Sequence, residues 1–175
     1  MLRRIATVSL TALLLAPSVT LGQTRRRSGS RATPPANTAQ QRLTQARTAG
    51  ATRVADQIKF LTTFIYLLGG VTSGIAAVDE AARRNEASPA VLQQNQQSKT
   101  RVKSSIQGFR ETLDKLEIDF RATPELQPYY IKLAGVAAGA AKAEEQAAAN
   151  QFDAAGRTLL GVINRLTDVL VLMMR

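Results

Sequence analysis

Residues 60–78, FLTTFIYLLGGVTSGIAAV, run for nineteen positions without a charge, closed by Lys59 before and by Asp79, Glu80, Arg83 and Arg84 after. Upstream and within this stretch, Val54, Ile58, Leu61, Ile65, Leu68, Thr72 and Ile75 recur at alternating steps of four and three. That is the period of a helix packed along one seam. Phe60, Phe64, Leu67, Val71 and Val78 fall off the seam, so the other faces are apolar too. A helix apolar all round is either covered by neighbours or spans a membrane. The length just reaches the span threshold of about 18 to 20 residues. Thr62, Thr63, Tyr66, Thr72, Ser73 and the glycines at 69, 70 and 74 weaken it as an insertion signal.

Whether other helices can wrap this one depends on the rest of the chain. Val102, Ile106, Phe109, Leu113, Leu116 and Phe120 form a second unbroken heptad seam. Its flanks pair Glu111 with Lys115, Glu117 with Arg121 and Arg110 with Asp114 at helical spacing, which marks a solvated surface. Ser88-Pro89 supplies a cap and a first-turn proline for that helix. Leu126, Tyr130, Leu133, Ala137 and Ala140 give a third seam, opened by Thr123-Pro124-Glu125. Asn150, with Asp153 three residues on, reads as a capping box for a fourth helix. That helix carries Phe152, Ala155, Leu159, Val162, Leu166, Val169 and Met173. The expected fold is therefore all-α, an antiparallel up-down-up-down four-helix bundle over residues 52–175, with helices at about 52–85, 89–121, 124–148 and 151–174. Three helices able to wrap the first favour a soluble protein over a spanning one. Residues 79–101, nearly devoid of large apolar side chains, read as an exposed helical hairpin tip or a frayed connection.

The net charge of +10 sits mostly ahead of the bundle. Residues 53–175 hold 15 basic and 13 acidic residues, whereas residues 23–52 hold six arginines and no acid. Residues 1–22 read as a signal peptide: Arg3 and Arg4, an apolar run from Ile5 to Ala16, Pro17, then small residues before Gln23. Residues 23–51 read as a disordered arginine-rich tail, too poor in bulky apolar side chains to order itself. Arg25, Arg26, Arg27 and Arg31 read first as part of a soluble tether whose charge follows composition, and second as a patch that holds an anionic lipid or glycan surface. No aromatic residue interleaves them to stack on bases, so a nucleic-acid partner is not expected.

Gly70 and Gly74 are four apart in the first helix, and Gly135 and Gly139 four apart in the third. Each glycine inside a helix costs roughly 1 kcal/mol against alanine, so both pairs call for a reason. Small residues at this spacing let two backbones approach closely. The leading expectation is that the first and third helices touch there; a homodimer contact and chance are the alternatives.

Catalytic chemistry is not legible. The chain has no cysteine and no histidine. That removes thiolate sites, covalent haem and the Glu-x-x-His pairs of di-iron bundles. Glu111, Asp114 and Glu117, and separately Glu144 and Glu145, are the carboxylate candidates, and basic neighbours make them a surface pattern. No enzyme activity, cofactor or metal is expected. The leading expectation is an exported interaction module of the cell envelope with an unidentified protein partner. The alternatives are a membrane-associated protein that inserts or oligomerises through residues 60–78, and a carrier of a small apolar ligand. In the carrier the cavity would lie between the alanine-rich third helix and Phe64, Tyr66 and Leu68.

Overall fold

A computed structural model describes residues 36–175. The signal peptide expected at 1–22, the first part of the expected tail, and Arg25, Arg26, Arg27 and Arg31 all lie outside the described residues. Of those described, 91% are helical and none is in a strand. The elements are α1 (Ala36–Arg83), α2 (Pro89–Ala122), a single 3-10 turn (Pro124–Leu126), α3 (Gln127–Leu133), α4 (Val136–Ala148) and α5 (Phe152–Met174).

Three departures from the sequence reading have local causes. First, α1 begins at Ala36, so residues 36–51, expected in the tail, are helical. Gly50 continues the seam one step upstream of Val54 and is buried. A Cβ built there would lie 2.9 Å from Met173 Cε and 3.0 Å from Leu126 Cδ2, so any larger residue would make these side chains shift. Second, the expected third helix is broken. Ala134 (φ −53°, ψ 130°) and Gly135 (φ 92°, ψ 1°) form a type II turn between α3 and α4. Glycine suits the second central position of that turn because φ is positive there. Third, Asn150 does not cap α5. It sits at φ 60° just past the end of α4, where Asn150 N–H donates to Ala147 O at 2.9 Å and Gln151 N–H to Gln146 O at 2.8 Å. That is a Schellman ending, with asparagine in the left-handed conformation it tolerates. The end of α1 is built the same way on Asn85 (φ 56°). The Ser88 cap is present: its Oγ accepts from Val91 N–H at 3.4 Å, and Pro89 opens α2.

Specific contacts order the helices. Between α1 and α2, Arg53 meets Asp119 at 2.9 Å, Phe64 meets Phe109 edge-on with ring centroids 5.1 Å apart, and Lys99 meets Asp79 at 2.7 Å. Rising numbers on one helix thus match falling numbers on the other. Arg110–Glu144 at 3.2 Å joins α2 to α4, and Ala137 N–H donates to Glu117 Oε1 at 2.7 Å. The latter places a carboxylate on the N-terminus of α4, where free amides and the helix dipole favour it. Between α4 and α5, Thr158 Oγ1 donates to Gln146 Oε1 at 2.7 Å. These bonds redirect Arg110 and Glu117 from the partners expected within α2 to other helices.

The core follows the predicted seams of α1, α2 and α5. In the third, Leu126, Leu133 and Ala140 are buried, Tyr130 and Ala137 are half-buried, and the buried face of α4 is Val136, Ala140, Ala143 and Ala147. All seven residues of the α5 seam are buried, as are Val54, Leu61, Leu68 and Ile75 of α1 and all of the α2 seam except half-buried Phe109. Burying a leucine or isoleucine contributes about 1.5–3 kcal/mol, whereas an exposed ion pair such as Arg53–Asp119 contributes about 0–1 kcal/mol. The seams therefore hold the fold, and the ion pairs tune it.

Candidate functional site

The surface that the fold leaves unexplained is the outer half of α1. The seam residues point inward, and α1 packs against α2, α5 and the 3-10 turn. Two helical neighbours cover only part of a helix's circumference. From Phe60 to Val78 the remainder faces outward: Tyr66 is 83% exposed, Phe60 61% and Leu67 59%. Thr63, Gly70, Ser73, Gly74 and Ala77 share this exposed side. The other helices thus do not wrap the first, contrary to expectation. α1 is long and apolar enough to cross a membrane, yet only 17% of its most apolar eighteen residues are buried.

The two glycine pairs are not brought together. Among the described residues, none has a heavy atom within 4 Å of where a Cβ on Gly70 or Gly74 would be. Gly139 faces α5 instead, with Val162 Cγ2 at 2.8 Å from such a Cβ, and Gly135 lies in the turn with Arg165 Nη1 at 2.9 Å. The expected contact between the first and third helices is therefore corrected. The alanine-rich α4 seam packs between α2 and α5, and Gly70 and Gly74 lie on the side of α1 away from the core. Beside the uncharged stretch of α1 a close approach is made by Gly156 of α5, where a Cβ would lie 3.2 Å from Leu68.

The same geometry separates the residues of the expected ligand cavity. Phe64 packs edge-on against Phe109, Leu68 lies against Gly156, and Tyr66 points outward. The carboxylates are dispersed as well: Glu111 accepts from Gln107, Glu117 from the α4 N-terminus, and Glu144 from Arg110. Among the described residues no group of three or more acidic side chains converges.

One polar cluster escaped the sequence reading. Asn95, 7% exposed, donates to Asp79 Oδ1 at 2.7 Å, and Lys99 Nζ donates to the same oxygen at 2.7 Å. The signal was present: Asn95 lies seven residues before Val102, and Asp79 four after Ile75, both in seam register. A buried polar residue in a seam fixes register. Of the two expectations for residues 79–101, the helical hairpin tip is the one observed, closed by this cluster.

The charges level with the outer face bear on a membrane. Phe109 lies opposite Phe64 and Lys99 opposite Asp79, so Arg101 and Lys103 of α2 stand beside the uncharged stretch. Gly156 lies opposite Leu68, which puts Asp153 and Arg157 of α5 at the same level. A bilayer around residues 60–78 would have to take in these charges as well, each at a cost of several kcal/mol.

No protein family matches this chain, and no curated protein or solved structure matches it either.

Proposed function

We propose that the chain is an exported, non-enzymatic interaction module of the cell envelope. Its folded part would be an antiparallel up-down-up-down four-helix bundle, and its docking surface the outer face of α1. The observation that carries this reading is the uncharged stretch from Phe60 to Val78, anchored to the core by one seam and exposed along the other side. Contiguous exposed apolar surface of this kind marks an interaction site. The level charges on α2 and α5 favour a protein partner over lipid for this face. The arginines at 25, 26, 27 and 31, with no acid nearby, would hold the module near anionic headgroups or glycans. The apolar run after Arg3 and Arg4 would direct export.

Fractionation tests this. Cells expressing the full chain are separated, the membranes washed with carbonate and high salt, and the intact mass of released protein is measured. Release of a protein beginning near Gln23 is the expected result. Retention until detergent is added would mean that α1 or an uncleaved leader lies in lipid, and would overturn the reading.

A further inference from the structure

We infer that the partner on the outer face of α1 is a second copy of this chain, docked antiparallel about a two-fold axis at Gly70. The inference rests on the reading of that face as a protein-docking surface and names its occupant.

Three features of α1 and its C-terminal end point to it. The first is shape. In an antiparallel helix pair, residues equally distant from the axis face each other. With the axis at Gly70, Tyr66 of one copy lies opposite Gly74 of the other, each four residues away. Tyr66 is the most exposed large apolar side chain described, and Gly74 offers open space with no Cβ. A protruding ring thus meets a gap, twice by symmetry. On the same rule Leu67 lies opposite Ser73 and Thr63 opposite Ala77, again large against small.

The second is charge. Beyond the uncharged stretch, Asp56 and Arg84 stand fourteen residues either side of Gly70. Their side chains are 48% and 58% exposed, and each has an opposite charge within its own copy, Asp56 with Lys59 at 3.6 Å and Arg84 with Glu80 at 3.7 Å and Glu86 at 3.6 Å, so docking would exchange exposed pairs within a copy for pairs between copies. Antiparallel docking puts Asp56 of each copy opposite Arg84 of the other, and Lys59 diagonal to Glu80. Parallel docking would set Asp56 on Asp56, Arg84 on Arg84 and Tyr66 on Tyr66. An isologous interface must be self-complementary, and only the antiparallel arrangement is.

The third is the cost of the glycines. Gly70 and Gly74 weaken α1 by roughly 1 kcal/mol each against alanine and, like Gly69, Gly108 and Gly161, meet no neighbour among the described residues; these two share the exposed side of α1 with Tyr66 and Leu67. Close approach of a second helix backbone supplies the missing reason.

The test uses the full-length chain in sedimentation equilibrium, with a Gly70→Leu/Gly74→Leu variant beside it. Wild type is expected to be a dimer. The variant, folded by circular dichroism because its new side chains point into solvent, is expected to associate at least about tenfold more weakly. Orientation is read by cysteine pairing, since the chain has no cysteine of its own. Tyr66→Cys and Gly74→Cys proteins, mixed under oxidised glutathione, should give a disulfide-linked dimer of the two, and Gly74→Cys alone should not. A wild-type monomer at about 100 µM would overturn the proposal. So would efficient linking of Gly74→Cys to itself, or a monomer that floats with phosphatidylcholine vesicles. A monomer that is still released from washed membranes would remove the second copy and leave the module reading standing. Retention until detergent would remove the module reading.

Discussion

Gly70 and Gly74 on α1 and Gly135 and Gly139 near α4 have the same four-residue spacing and opposite surroundings. The second pair serves the fold: Gly139 lets α5 approach α4, and Gly135 takes a positive φ that ends one helix and starts another. The first pair meets no neighbour among the described residues. Identical spacing therefore carries no information about which neighbour, if any, a small residue serves. Position around the helix decides it. Gly139 lies three residues after buried Val136 and four before buried Ala143, on the inward face of α4, whereas the residues three and four away from Gly70 (Tyr66, Leu67, Ser73 and Gly74) are all exposed.

The contrast extends to the leucines of α1, where the largest effect is expected. Leu61→Ala should lower stability by about 2–5 kcal/mol in urea unfolding, and Leu67→Ala at dilute protein by no more than about 0.5 kcal/mol. Equal losses would mean that the outer face is buried after all. Next comes Gly139→Leu. Its side chain would run into Val162, and overpacking of this kind costs about 1–3 kcal/mol, read as a lower denaturation midpoint at unchanged slope. Gly135→Ala should cost about 1–2 kcal/mol from the left-handed backbone alone, with helix content retained by circular dichroism. Smallest and opposite in sign, Gly70→Ala at dilute protein should raise stability by up to about 1 kcal/mol, since a helical glycine is replaced and nothing is displaced.

Much of this fold is legible in the spacing of apolar residues. The α2 and α5 seams, the Ser88–Pro89 start and the inward set of α1 follow from periodicity, because burial of a heptad stripe dominates the energetics. What periodicity misses is whatever depends on small or polar residues. Gly50 reads as the end of a linker, yet it is a seam residue whose missing side chain admits Met173 and Leu126. Asn150 reads as the cap of the helix that follows, and its backbone conformation instead closes the helix before. Gly135 breaks a helix that the third seam runs straight through. The outer face is not legible for another reason. A sequence shows that α1 is apolar all round, but not that it has only two long helical neighbours.

The most direct measurement is a pair of thermal melts at dilute protein, Gly74→Leu against Gly139→Leu. The account predicts that the first melts at or above the wild-type temperature and the second several degrees below it. A Gly74→Leu protein that melts as low as Gly139→Leu would place Gly74 inside the fold and contradict the free outer face of α1.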